Sequence, residues 1–231
     1  YRTGHPHARE ARMPKLIIGS QVYWSWSLRG WLAAKQSGLP FEEVVVPIYD
    51  DAWPARKAQP DLAPSLGKVP MLWDGDIAVW DSLAIIDYLD TISGGTRFWP
   101  KDKAALALAR TMSAEMHSGY QPLRQACGMN MRHVLPAKDH GPEVTANVAR
   151  ITSLWDQART RFGKGGDFLF GAFGAADIMF APVVTRFVTY SIDVPADARG
   201  YMDAVLAHPF MQEWTAGANA EEWIIPHFEP A

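Results

Sequence analysis

Short apolar runs separated by turn residues fill the first part of the chain, and helical periodicity replaces them after Trp99-Pro100. The run over 15–19 predicts a strand ended by Gly19. Residues 25–37 predict a helix with Leu28, Trp31 and Leu32 on one face, stopped by Gly38. A valine-rich strand is expected over 41–47, and a weaker helical segment between prolines over 53–62. Val69-Pro70-Met71 then enters a third strand, Asp74-Gly75 marks a hairpin, and Ile77 to Trp80 returns. Asp81 and Ser82 open a helix to Ile92 whose apolar side carries Leu83, Ile85, Ile86 and Leu89.

Ser93-Gly94-Gly95-Thr96 breaks this pattern, and no convincing strand follows. Residues 104–127 read as one long helix or a pair, and 143–162 as another closed by glycines. A third helix begins near Ala175, and the last covers 201–207. The predicted fold is therefore α/β plus all-α: a thioredoxin-like N-terminal domain over 13–95, then an all-helical domain over 101–228. Its βαβ crossover should be right-handed, with the two strands parallel.

Composition narrows the functional classes. The chain has 231 residues, 48% hydrophobic and 20% charged, which suits a globular protein with a substantial core. A net charge of -3 argues against nonspecific nucleic-acid binding, which needs a basic face. No apolar run approaches the length of a membrane span. Cys127 is the single cysteine, so no internal disulfide can form, and a reducing, cytoplasmic location is expected. Met13 reads as a natural start preceded by an arm over 1–12 without a secretion signal. The seven histidines show no ligand-like spacing with cysteine or acids, so no metal site is expected, and there is no phosphate-cradling glycine loop.

Residues 67–82 concentrate the candidate chemistry. A proline at the head of a strand gives up one backbone donor and leaves neighbouring groups free to pair with an extended peptide. Ser82 and the following helix N-terminus supply donors for a carboxylate. Together these parts suit a small acidic peptide. Taken alone, Asp81 and Ser82 are also ordinary helix-start residues.

The arrangement resembles the glutathione-binding half of the cytosolic glutathione transferases. The resemblance implies a cis Pro70 and a backbone pairing of Val69 with the cysteinyl unit of glutathione. It gives Asp81 and Ser82 the γ-glutamyl end, and Lys68 the glycyl carboxylate. The loop Gln21-Val22-Tyr23-Trp24-Ser25-Trp26-Ser27-Leu28-Arg29 resembles a bacterial subgroup with a Tyr-Ser-Ser-Trp-Ser-Leu-Arg run, where the first serine is the expected thiol activator. Here Trp24 stands in that place. Ser25 is the nearest hydroxyl and Tyr23 the runner-up, while the structural role open to Ser25 is an N-cap. Trp24 is placed in the electrophile site.

The stretches Glu115 to Tyr120 and Met129 to Arg132 resemble the helical wall over that site. They nominate His117, Asn130 and Arg132 for the substrate pocket, with an interdomain hydrogen bond the competing role of His117. Arg124 shares a face with His117 if the helix is continuous. Gly174 and Asp177 resemble the family's helix-capping motif, which makes Asp177 structural, and Cys127 reads as a buried apolar residue. The implied function is a glutathione transferase using glutathione as cosubstrate on a hydrophobic or small acidic electrophile, usually as a homodimer. A glutathione-dependent isomerase is favoured if Arg124 and Arg132 face the cleft. A noncatalytic binding or regulatory module is the alternative that Trp24 supports.

Overall fold

The computed structural model describes residues 13–48 and 50–229; the arm expected over 1–12 lies outside them. Strand β1 (Lys15–Ile18) occupies an interior position in the sheet. It runs parallel to β2 (Glu42–Val45) and antiparallel to β3 (Met71–Asp74), which pairs with β4 (Ile77–Val79), giving the order β2-β1-β3-β4. Alternation along β1 sends Leu16 and Ile18 into the main core and Ile17 into a smaller one with Val46, Ile48, Leu62, Val69 and Met71. Burial on both faces is why this strand is apolar without interruption. At the sheet edge, β2 exposes Glu42 and Glu43, charges that discourage pairing with another chain. Asp74 pairs with Ile77 across the hairpin, so the turn centres on Gly75-Asp76, one residue later than expected, with Gly75 at φ 63°.

Helix α1 (Ser25–Ser37) ends on Gly38 at φ 70°, where a side chain would be strained. Inside α1, a Cβ on Gly30 would lie 2.6 Å from Cβ of Pro70. The missing side chain lets α1 pack directly on the proline that heads β3. The segment expected to be helical over 53–62 is one turn, α2 (Trp53–Arg56), followed by a 3-10 turn at Ala63–Ser65. Pro60 and Pro64 lack the amide hydrogens a longer helix would need. Helix α3 (Ser82–Ile92) is capped by Asp81, whose carboxylate accepts from the Leu83 amide at 3.1 Å.

The remainder is helical: α4 (Lys103–Ser118), α5 (Gln121–Ala126), α6 (Pro142–Phe162), α7 (Ala175–Thr189), α8 (Ala196–Ala207) and α9 (Pro209–Ala220). The stretch 104–127 is a pair because Gly119 and Tyr120, the latter at φ 62°, interrupt it. His117 and Arg124 therefore sit on separate helices. α8 starts five residues before the expected 201, and α9 follows where no helix was expected. Pro209 looks like a stop but occupies the first turn of a new helix, where a missing amide hydrogen is harmless.

α7 is buried along almost its whole length and packs against α1, α4 and α8. At its start the Asp177 carboxylate accepts from the amides of Gly174 at 2.9 Å and Leu169 at 3.1 Å. Burial still pushes that carboxyl up to about 6. Among the described residues, no helix is long and apolar enough to cross a membrane, and no group of three or more His, Cys, Asp or Glu could hold a metal ion.

Candidate active site

A cleft of about 470 Å³ opens where the sheet domain meets α4. On the sheet side it is lined by Lys68, Val69 and Pro70, joined by a cis peptide bond between Val69 and Pro70. Asp81 and Ser82 line it at the start of α3. The Ser82 hydroxyl is buried and has no hydrogen-bond partner among the described residues. A buried hydroxyl without a partner is unfavourable by roughly 1–3 kcal/mol unless something else satisfies it. It stands at a helix N-terminus, whose amides and partial positive charge favour an anion.

His117 reaches the cleft from α4, with Nε2 3.0 Å from Asp81 Oδ2. That contact joins the two domains at the cleft's rim and fixes one Asp81 oxygen, while the cap holds the other. Asp81 remains about half exposed. The Nδ1 of His117 is buried without a partner among the described residues.

The rest of the wall is aromatic: Trp24, Trp26, Trp53 and Trp80 all line the cleft. The guanidinium of Arg29 lies 4.6 Å from the Trp26 ring centre and that of Arg124 4.8 Å from it. Both bond to backbone carbonyls: Arg29 to Met179, and Arg124 to Met116, His117 and Gly119. Burial and the neighbouring cations Arg186 and Arg124 hold Arg29 well below its ordinary pKa. Its Nη2 has no partner among the described residues. Both guanidiniums lie against Trp26, and neither Arg29 nor Arg124 is among the lining side chains.

The loop 19–24 between β1 and α1 is tied to the far end of the chain. Tyr23 donates its hydroxyl proton to Glu229 Oε1 at 2.5 Å. Burial, then the bond to Glu229, push the phenol pKa up. Asn130 donates to the Phe228 carbonyl and to Glu229, both at 3.2 Å. Arg132 donates to the carbonyls of Trp223 and Glu221. Ser25 is buried as the first residue of α1 and is not among the lining side chains.

A second, larger depression of about 600 Å³ lies between α6 and α8. Its one arginine, Arg159, already donates to the Asp197 carbonyl. Among the described residues, two buried polar atoms without a partner, Ser82 Oγ and His117 Nδ1, belong to residues lining the interdomain cleft, and with the α3 N-terminus beside them they make it the candidate functional site.

The family model described as glutathione S-transferase, N-terminal domain, matches residues 24–92, and the one described as glutathione S-transferase, C-terminal domain, matches residues 141–217. The chain belongs to the glutathione S-transferase family. A rat relative named maleylacetoacetate isomerase is 31% identical over 188 residues, which is 80% of this chain and 83% of that protein. Among solved structures, a Burkholderia glutathione transferase homolog with bound glutathione superposes with a TM-score of 0.66 at 21% identity, covering 91% of this chain and 100% of that one. A theta class glutathione S-transferase from Xanthomonas axonopodis pv. citri, also with glutathione bound, gives 0.62 at 21% identity, covering 87% and 96%. These two structures share the glutathione S-transferase fold with this chain.

Of the residues singled out from the sequence, the structure brings Trp24, Lys68, Val69, Pro70, Asp81, Ser82 and His117 to one cleft. It places Tyr23, Asn130 and Arg132 on the C-terminal segment instead, with Ser25 behind the lining. Cys127 is fully buried, and burial pushes its thiol up to about 11, so it stays protonated at neutral pH. Trp53 and Trp80 were not singled out, although Trp80 directly precedes the Asp81-Ser82 pair.

Proposed function

We propose that this protein binds glutathione in the interdomain cleft and activates its thiol for attack on a hydrophobic or small acidic electrophile. The observation that carries this reading is the buried, unpartnered Ser82 hydroxyl at the α3 N-terminus, beside Val69 and the cis Pro70. In this reading glutathione lies extended along Val69 and Pro70. Its γ-glutamyl carboxylate accepts from Ser82 and the first turn of α3, and its α-amino group meets the half-exposed Asp81. Lys68 is assigned to the glycyl carboxylate.

The thiol then points toward the first turn of α1, led by Ser25. Trp24 at the N-cap supplies no side-chain hydrogen bond to that turn, so its amides are not satisfied by a cap. Donors and partial positive charge there lower the thiol pKa and raise the thiolate fraction. Ser25 is the first candidate for the activating hydroxyl. Tyr23 suits that task less well, because its proton is already given to Glu229 and its pKa is raised. The thiolate forms the new carbon–sulfur bond, and the electron pair leaves with a departing group or takes up a proton. Trp24, Trp26, Trp53 and Trp80 surround the electrophile.

A glutathione-dependent isomerase is the second reading. The rat relative favours it; neither Arg124 nor Arg132 is among the lining side chains, so the cationic groups nearest the cleft are the guanidiniums of Arg29 and Arg124 against Trp26. Positive charge there would attract an acidic substrate and steady the negative charge that develops when a thiolate adds to a conjugated double bond. A homodimer, the family's usual state, belongs to the same proposal and is tested by light scattering.

Calorimetric titration with glutathione tests the main reading. Saturable binding in the parent, lost or strongly weakened in Ser82→Ala, supports it. The appearance of thiolate ultraviolet absorbance on binding separates an activating site from a mere binder. No heat up to millimolar glutathione would sink the proposal and leave the noncatalytic-module reading in its place.

A further inference from the structure

After α9 the chain turns back across the β1–α1 loop. The Glu221 carboxylate accepts from the Ser20 hydroxyl and, at 2.7 Å, from the Gln21 amide. Arg132 grips the carbonyls of Glu221 and Trp223. Farther along, the Ile225 amide meets the Tyr23 hydroxyl at 3.5 Å. The closing grip is on Glu229, which accepts from Tyr23 at 2.5 Å and Asn130 at 3.2 Å and has His133 Nε2 at 2.8 Å from its other oxygen. Burial alone would raise the Glu229 pKa, but these bonds outweigh it and hold the carboxyl below its ordinary value.

This clasp seats Phe228 on the loop. Its ring stacks on Tyr23 at 5.8 Å and stands edge-on to Trp24 at 5.4 Å. Ile225, Phe228 and Met131 pack with Trp24 on a small core of Val22, Tyr23 and Ala218. Trp24 is also a wall of the cleft. Trp24 thus meets the C-terminal segment and the cleft, and it also packs on the small core that contains Ile48 and Val69.

We propose that residues 221–229 form a strap whose clasp at Glu229 holds Phe228 against Trp24, and so sets the shape of the cleft on the side that receives the group attached to glutathione sulfur. Phe228 and Glu229 are positioning residues: they determine which second substrates fit and leave the glutathione subsite alone. Tyr23, Asn130 and Arg132 serve the clasp. Because Trp24 presents a flat apolar ring, the group favoured on that side is planar and aromatic. This inference rests on the reading that the cleft binds glutathione.

The test compares two ligands by calorimetry on the intact chain, glutathione and S-(2,4-dinitrophenyl)glutathione. Phe228→Ala should weaken the dinitrophenyl adduct about tenfold, the loss expected when an aromatic pair no longer holds its partner. Glutathione affinity should stay within about twofold. Phe228→Tyr, which keeps the ring, should restore the adduct's affinity. Glu229→Ala should reproduce the adduct's loss and speed hydrogen exchange at the amides of Val22 to Trp24. Equal weakening of both ligands, or an unchanged adduct affinity with folded Phe228→Ala and Glu229→Ala proteins, overturns the strap while the glutathione reading stands. A parent protein that binds glutathione in neither form overturns both.

Discussion

Two regions at the cleft, one lining it and one behind Trp24, handle polar groups in opposite ways. Around β3 and α3, the Ser82 hydroxyl is buried and has no partner among the described residues, and the helix N-terminus is capped on one amide by Asp81. Around the β1–α1 loop, the hydroxyls of Ser20 and Tyr23 and the Gln21 amide are all engaged by Glu221 and Glu229. A region with unsatisfied donors is organised to receive a ligand. A region whose donors are satisfied by its own chain is organised to hold a shape. Both regions contain residues of types that could carry chemistry, and their hydrogen-bond partners and their place in the lining tell them apart.

The largest expected break of this contrast is Ser82→Ala. Removing one donor to a charged carboxylate should weaken glutathione about 10- to 100-fold in a calorimetric titration, with little change in melting temperature. Asp177 lies in neither region and provides a control of about 3 kcal/mol, from burial that raises its carboxyl from 3.8 to about 6. A raised acid pKa means the folded state binds the proton more tightly. Its stabilising contribution is therefore full below the unfolded pKa and declines as pH rises from about 4 to 6. Denaturant unfolding across that window should show the decline in the parent and flatten it in Asp177→Asn.

Gly30→Ala should lower stability by about 1–3 kcal/mol, because the new Cβ would press on Pro70. This exceeds the gain of roughly 0.5–1 kcal/mol expected from replacing glycine inside a helix. Glutathione affinity should fall with it, since Pro70 heads the ligand-side strand. Tyr23→Phe is the smallest and the mirror of Ser82→Ala: a loss of about 1 kcal/mol in unfolding free energy. The pKa of the bound glutathione thiol, read from its thiolate absorbance, should not change. A rise in that pKa would instead make Tyr23 the thiol activator.

The sheet domain was legible because its signals are local. Gly38 and Gly75 mark backbone positions with positive φ, the run at β1 is apolar on both faces, and Asp81 caps the helix it precedes. Helix α9 was missed because a proline reads equally as a stop and as a start, and the distinction needs the partners of the neighbouring amides. The site divides along the same line. Lys68, Val69, Pro70, Asp81 and Ser82 are close in sequence and reach the cleft together. Tyr23, Asn130 and Arg132 were nominated by resemblance to the family's loop and helical wall, and nothing near them in sequence indicates that a segment some 90 to 200 residues later takes up their hydrogen bonds.

By itself, the sequence determined the βαβ–α–ββα order, the all-helical second half and the turn around Pro70 and Ser82 that lines the cleft. Those follow from backbone preferences and apolar periodicity, which act over a few residues. Only the tertiary structure decided that Ser82 is left without a partner among the described residues while Tyr23 is given one, and that Trp24 stands between the cleft and the C-terminal segment. Whether a polar group is free depends on which distant atoms arrive beside it, and that is fixed by packing between elements far apart in the chain.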